Sequence, residues 1–290
     1  VGQSMYEIQY YTDVNTLGGA VLLDLLANTK HQVRKILVAS SMSIYGEGAY
    51  ECADCGVVYP RLRTEAQLKA RDWEMKCPDC GRDVRSVPTG EDKPLYPTSI
   101  YAITKRDHEE MFLSTGLAYG IPAVALRFFN TYGPRQALSN PYTGIAAIFS
   151  GRLLNGQPPI IYEDGQQSRD LTHVSDIVQG LQLAMDKPEA DYQVFNLGTG
   201  VPTSVAEVAE MLSQQLTGGQ VKSQVLNQFR AGDIRHCYAD LTRARHLLGF
   251  EPQITLQEGM SDLLSWVKEQ TAIDRMDQVE KELAAKELVV

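Results

Sequence analysis

Apolar positions along the chain fall into two alternating rhythms. Residues 35–39 form a short apolar run ending in Ser40-Ser41-Met42-Ser43, the pattern of a buried parallel strand that delivers polar side chains at its carboxyl end. Residues 123–126 and 194–197 repeat the run, the second closed by Gly198-Thr199-Gly200, and residues 221–226 are a further candidate strand. Helical periodicity predicts a helix over 14–26, with Leu17, Val21, Leu22 and Leu25 on one face, and others over 99–117, 145–154, 174–185 and 256–267. A helix over 241–248 is stopped by Gly249. Ser204 with Glu207 three residues later predicts a capping box opening a helix to Leu216. The Ala/Leu-rich, charged stretch 274–288 predicts a tail helix of marginal independent stability. Strands rich in Val, Ile, Leu and Ala alternating with helices indicate an α/β fold with a parallel sheet, which binds ligands at the carboxyl ends of its strands. Residues 49–90 carry no core periodicity and read as an insertion.

Composition narrows the classes. The 290 residues carry 27 Lys+Arg against 36 Asp+Glu, a formal charge of −9, with 43% hydrophobic and 22% charged residues. That profile fits a folded soluble protein, and the acidic balance argues against nucleic acid as a partner, because neutralising phosphates needs a basic face. No apolar run approaches the ~18 residues of a membrane span. The first residues lack the basic and apolar regions of a secretory signal, so the expected location is cytoplasmic. The chain starts at Val1 rather than Met, which leaves open that it is a piece of something longer.

The sharpest chemical signal is Tyr101-Ala102-Ile103-Thr104-Lys105. On a helix, i and i+4 share a face, so the Lys105 ammonium would lie beside the Tyr101 phenol, favour the tyrosinate and make it usable as a general base. Such pairs also arise on solvated helices. The strand-end Ser40-Ser41-Met42-Ser43-Ile44-Tyr45-Gly46 changes the weight of the reading, because a hydroxyl there can share a proton with a substrate hydroxyl and the tyrosine.

With these motifs the sequence resembles the extended short-chain dehydrogenase/reductase superfamily, and within it the NAD-dependent nucleotide-sugar epimerases, such as UDP-galactose 4-epimerase and its dTDP-sugar relatives. The resemblance implies Ser41, Tyr101 and Lys105 as catalytic residues, and Asn15, Ser40, Tyr101 and Lys105 as contacts to NAD. It implies that Asn130, in Arg127-Phe128-Phe129-Asn130-Thr131-Tyr132-Gly133-Pro134, contacts the substrate diphosphate. Arg169, in the stretch from Asp164 to Asp176, and Arg230, in Arg230-Ala231-Gly232-Asp233, would grip it, with Asp233 on the nucleoside ribose. Two guanidinium groups suit a diphosphate, being planar and permanently charged. Ser43 and Cys237 join the substrate-binding set; a small Cys237 implies a roomier sugar pocket, or alternatively is a buried small hydrophobe.

The implied fold is a Rossmann-like doubly wound parallel sheet, its first βα units missing, with a smaller α/β substrate domain. Residues 1–130 would form a partial NAD-binding domain, with segments near 173–205 partly returning to it. Residues 131–270 would form the nucleotide-sugar domain and 271–290 a helical tail. No glycine-rich turn for the NAD pyrophosphate opens the chain; Val1-Gly2-Gln3-Ser4 resembles the start of the helix after the family's fourth strand, so on the order of 80 preceding residues are expected to be absent.

In the dehydratases of this superfamily the strand-end motif carries two acidic residues, and in the decarboxylases one. Here Met42 and Ser43 occupy those places. Without a carboxylate, elimination lacks its acid and base, so the expected outcome is epimerisation of a UDP- or dTDP-linked sugar, most simply at C4. The alternatives are a dehydratase or decarboxylase and, in another class, a catalytically silent fragment or sugar-nucleotide-binding scaffold. Among substrates, the loop Leu138-Ser139-Asn140-Pro141-Tyr142 and the insertion leave a deoxysugar such as dTDP-rhamnose in competition with UDP sugars. Homodimerisation through a helix pair is also implied, the 99–117 helix contributing.

Five cysteines do not form a disulfide scaffold in a chain of this length. Cys52-x2-Cys55 and Cys77-x2-Cys80, separated by the 21 residues 56–76, have zinc-ribbon-like spacing, and each pair is followed by a glycine, Gly56 or Gly81, that lets backbone amides face the thiolates. Four sulfurs leave no open coordination position, so the expected role is a structural zinc; redox-active cysteines and an iron-sulfur site are the alternatives.

Overall fold

The computed structural model describes residues 2–138, 140 and 144–270, together with Glu282, Ala285, Lys286 and Val289. The tail expected to be helical at 274–288, apart from Glu282, Ala285 and Lys286, and Ser139, Pro141 and Tyr142 of the 138–142 loop lie outside the described residues. Ile8–Tyr11, the π-helical Thr12–Leu17 and Gly18–Asn28 run on as one helix, α1, leading to strand β1 (Ile36–Ser41) and a 3-10 turn, Met42–Tyr45. Then come β2 (Ala49–Cys52), β3 (Gly56–Val58), α2 (Glu65–Lys69) and β4 (Arg85–Val87). They are followed by α3 (Ile100–Tyr119), β5 (Ala123–Phe128), β6 (Asn130–Tyr132), α4 (Ile145–Leu154), β7 (Ile160–Ile161), β8 (Ser168–His173) and α5 (Val174–Asp186). The chain continues through β9 (Val194–Leu197), β10 (Pro202–Ser204), α6 (Val205–Thr217), β11 (Gln224–Val225), β12 (His236–Cys237) and α7 (Leu256–Val267).

β1, β5 and β9 form a parallel sheet in that order. Its middle strand is covered on both faces, and Ala123, Val124, Ala125 and Leu126 are wholly buried, which is why the run reads as continuously apolar. α1 and α3 pack Leu23, Leu26 and Phe112 against Ile36, Val38 and Ala125 of this sheet. A second sheet has β8 between β10 and β12, with β6 also paired to β8. Beside it α4, α6 and α7 enclose a separate apolar cluster with Leu171. The insertion has its own antiparallel sheet, β3-β2-β4, over a small core of Tyr50, Cys52, Val58, Met75 and Cys77. Among the described residues no helix is long and apolar enough to cross a membrane.

The helices at 145–154 and 256–267 and the strand at 194–197 coincide with the sequence expectation, and both halves of the Ser204/Glu207 capping box are formed. Three elements differ. Residues 221–226 pair only at Gln224–Val225, against the two-residue β7. The segment before Gly249 is π-helical over Ala244–Leu248. The expected inner face of α1 is its outer one: Leu17, Val21, Leu22 and Leu25 are 54%, 62%, 45% and 55% exposed, while Leu23 and Leu26 pack on the sheet and Gly19 lies against His108 and Phe112 of α3. Leucines at 22, 23, 25 and 26 mark two stripes of the same helix, and periodicity does not say which one the sheet takes.

Candidate active site

The carboxyl ends of β1 and β5 open on a cleft of about 180 Å³ lined by Ser41, Met42, Ser43, Tyr101, Phe128, Phe129, Asn130, Thr131, Tyr132 and the start of α4. β1 ends at Ser41, whose hydroxyl caps the 3-10 turn by accepting from the Ser43 amide at 3.2 Å. Tyr101 stands in the first turn of α3. That turn is fixed by Ser99, which accepts from the Ala102 amide at 3.1 Å, and by Ser4, which accepts from the Tyr101 amide at 3.0 Å. Burial pushes the Tyr101 phenol above its ordinary value, and a hydrogen bond with Ser41 pulls it the other way. The expected pull of the neighbouring ammonium is not among the causes. Lys105 Nζ lies 6.0 Å from the Tyr101 ring centroid and donates to the Ala39 carbonyl at 3.0 Å, while its own pKa is lowered by burial.

Asn15 sits on the π-helical stretch of α1, a register often found at functional sites. Its amide donates to Thr104 Oγ1 at 3.0 Å, and its carbonyl meets the His108 ring. Successive strand side chains diverge, and Ser40, next to the cleft-lining Ser41, donates to Glu109 Oε2 at 2.7 Å. Asn130 opens β6 at the cleft, and its Oδ1 is buried with no hydrogen-bond partner. Ser41, Ser43, Tyr101 and Asn130 are therefore brought together. None of the described residues lining the cleft carries a carboxylate.

The other expected substrate residues gather around the 229–237 segment. Arg230 Nε and Nη2 both donate to Asp233 Oδ2 at 2.8 Å, and the Arg230 guanidinium lies 4.5 Å from the centroid of the Tyr162 ring. Arg169, on β8, is paired in register with Cys237, on β12. Its guanidinium donates to the carbonyls of Ser168, Ile234 and Arg235 at 2.7, 2.7 and 3.0 Å, so three of its five N–H donors hold the backbone that carries this segment. Cys237 is 1% exposed in the core beside Met42 and Tyr45, with Sγ toward Thr89; burial pushes its thiol up to about 12, and it stands apart from the cleft lining. Thr98 Oγ1 donates to the Gly232 carbonyl at 3.2 Å, tying the entry to α3 to this segment.

The thiol sulfurs of Cys52, Cys55, Cys77 and Cys80 all lie within 4.8 Å of one another, and Cys52 and Cys80 are 3.6 Å apart. A tetrahedral shell at the ~2.3 Å Zn–S distance has edges near 3.8 Å, which this donor set fits. Gly56 and Gly81 have φ of +73° and +74°, and the amides of Asp54 and Cys55 hold the Cys52 thiol down at about 7.

Two buried ionic networks escaped the sequence reading. Arg127 and Glu109, with side chains 5% and 4% exposed, pair beneath the cleft and bind Ser40 and Tyr45. A charge ending a wholly apolar strand was the available signal, since a buried charge requires a partner. Arg63 and Arg235 meet Glu163 and Asp164, with Glu74 closing the group. These charges are far apart in sequence, so local pattern carried no sign of them.

A family model described as GDP-mannose 4,6 dehydratase matches residues 82–263. The dTDP-L-rhamnose 4-epimerase of Burkholderia thailandensis is 34% identical over 271 residues, covering 93% of this chain and 72% of that protein. Among solved structures, the UDP-N-acetylglucosamine 4-epimerase of Methanobrevibacter ruminantium M1, in complex with UDP-N-acetylmuramic acid, aligns with a TM-score of 0.74 at 26% identity, over 93% of this chain and 74% of that one. MoeE5 in complex with UDP-glucose and NAD aligns at 0.68 and 30% identity, over 91% and 74% of the two chains. The parallel sheet with its flanking helices is the Rossmann-type α/β architecture of these neighbours.

Proposed function

Because the chain belongs to the GDP-mannose 4,6 dehydratase family of extended short-chain dehydrogenases/reductases, we propose that it is part of an NAD-dependent 4-epimerase of a nucleotide-diphosphate sugar. The observation that carries this reading is the cleft itself. The Tyr101 phenol and the Ser41 hydroxyl line one cleft with Asn130, whose side-chain carbonyl is buried without a hydrogen-bond partner, and no carboxylate is among the described lining residues.

The residues present fit the nicotinamide end of an NAD site, on the chemistry of the donor set: the Tyr101 phenol, the Lys105 ammonium one helical turn away and Asn15 on the adjoining helix. Bound NAD would supply a hydride acceptor. Tyr101, with Ser41 sharing its hydrogen bond, takes the proton of the sugar 4-hydroxyl and later returns it. Lys105, one helical turn from Tyr101 with its ammonium on the Ala39 carbonyl, would contact the bound NAD. Arg230, Asp233 and the remaining donors of Arg169 hold the nucleoside diphosphate, while Asn130 contacts the diphosphate and Ser43 the sugar. The division into a partial cofactor domain over 1–130 and a sugar-nucleotide domain over 131–270 follows the same assignment. Met42, buried in the core, and Ser43 offer no acid or base for eliminating water, which favours epimerisation over dehydration.

The test is incubation with UDP-glucose, UDP-N-acetylglucosamine and dTDP-rhamnose in the presence of NAD, read by NMR. A C4 epimer is expected from one of them. A 4-keto-6-deoxy product would replace epimerisation by dehydration, and sugar-nucleotide binding without turnover would mark a scaffold.

The four cysteines are assigned a structural zinc, because a complete sulfur shell leaves no site for substrate. The exposed apolar stripe of α1, with Leu117 of α3 at 72% exposure, is assigned to the homodimer contact. Val21→Glu should move the protein to a monomer in sedimentation at unchanged helicity; an unchanged sedimentation coefficient would reject this face as the contact.

A further inference from the structure

The insertion reaches the proposed nucleotide segment from Tyr50 of β2, whose hydroxyl accepts from the His236 amide at 3.2 Å, and through the loop between the cysteine pairs. Residues 56–76, the stretch between the two cysteine pairs, carry Arg63, Leu68, Trp73 and Glu74. Leu68 and Trp73 form a buried cluster with Phe229, the neighbour of Arg230. Arg63 donates to both oxygens of Glu163 at 2.8 and 2.9 Å, to the Trp73 carbonyl at 3.0 Å and to the Asp233 carbonyl at 3.2 Å. Glu163 in turn donates its amide to the Gln228 carbonyl at 2.7 Å. Glu74 closes on the fully buried guanidinium of Arg235 at 2.5 Å and on His236 at 3.4 Å. The backbone on both sides of Arg230 and Asp233 is thus held by side chains of this loop, whereas the Arg230–Asp233 pair itself stays partly open to solvent.

We propose that the metal-closed loop 56–76 is a positioning device for the nucleoside-diphosphate site, so that occupancy of the four-cysteine centre sets the affinity for the nucleotide half of the substrate. The inference rests on the sugar-nucleotide reading above. The physical reason is entropic. With its ends drawn together at one ion, the loop has few conformations to lose when Arg63, Trp73 and Glu74 dock; with the ion gone, the docking must meet the cost of closing a 21-residue loop, and the 229–237 segment loses its support. Arg63 is accordingly a positioning residue. It acts on the site through Glu163 and the Asp233 carbonyl.

The experiment uses the full chain loaded with zinc and UDP as probe, with binding followed by calorimetry, zinc content by elemental analysis and folding by thermal melting. Stripping the zinc with a chelator should weaken UDP binding by roughly 5- to 150-fold, and saturating UDP should by linkage make the zinc harder to strip by the same factor. Arg63→Gln, measured with zinc in place, should weaken UDP binding while keeping full zinc content. If stripping unfolds the protein, Arg63→Gln and the UDP effect on zinc retention decide. UDP affinity unchanged in Arg63→Gln, with zinc release indifferent to UDP, would overturn this inference alone. Failure of the zinc-loaded native protein to bind either UDP or dTDP would overturn the sugar-nucleotide reading on which it rests.

Discussion

Tyr101→Phe is expected to lower turnover by on the order of 10²–10⁴ while leaving sugar-nucleotide affinity largely intact, because only the proton carrier is removed. The phenyl ring keeps the edge contact with Tyr11, whose ring centroid lies 6.4 Å away, so the first turn of α3 need not move. Steady-state kinetics beside UDP-sugar titration reads the two effects separately. Turnover within a few-fold of the native protein would remove Tyr101 as the base. The direction of the phenol's shift adds a second observable. Burial raises it and the Ser41 hydrogen bond lowers it, so Ser41→Ala should raise it further. A base with a higher pKa is deprotonated only at higher pH, and the acid limb of the kcat/KM profile should move upward.

Glu109→Leu is expected to cost roughly 3–5 kcal/mol of stability, since it leaves the Arg127 charge buried without its partner. Arg127 donates to Glu109 at 3.0 and 2.5 Å, to the Tyr45 hydroxyl at 2.8 Å and to the Glu91 carbonyl at 2.8 Å, and Tyr45 passes the chain on to Asn196 at 2.7 Å. The network spans β1, α3, β5 and β9, so its loss acts on the sheet that carries the cleft. Adding Arg127→Met should recover much of the cost, because an apolar pair of similar volume replaces a buried ion pair at little expense. Removing Glu65 from its exposed pair with Lys69 should leave stability essentially unchanged. Urea unfolding of these variants checks all three. A Glu109→Leu effect as small as that of the Lys69–Glu65 pair would show the network to be dispensable.

The parts legible in the sequence were those written in local pattern. β9, α4 and α7 were readable because each is a single apolar period bounded by polar or glycine residues, and the Ser204/Glu207 cap because its two bonds join residues three apart. The cleft residues Ser41, Ser43, Tyr101 and Asn130 were likewise readable, each sitting inside a contiguous motif at a strand end or helix start. The four cysteines declared themselves by spacing, and the structure brings their sulfurs together.

What the sequence could not convey is which surfaces meet. α1 carries two apolar stripes, and only the packing against β1 and α3 decided that Leu23 and Leu26 are inside and Val21 and Leu25 outside. Arg169 has the residue type expected of a phosphate ligand, yet the parallel pairing of β8 with β12 delivers three carbonyls to its guanidinium. Cys237, placed by the same pairing, faces the core. Arg63 and Glu163, 100 residues apart, form a buried pair that no window of sequence contains. Local periodicity and motif spacing are properties of neighbouring residues and determined the α/β class, the cleft-lining motifs and the four-cysteine cluster. The burial of a charge, the side of a helix and the partner of a guanidinium depend on distant chain segments arriving at one place, and the tertiary structure alone decided them.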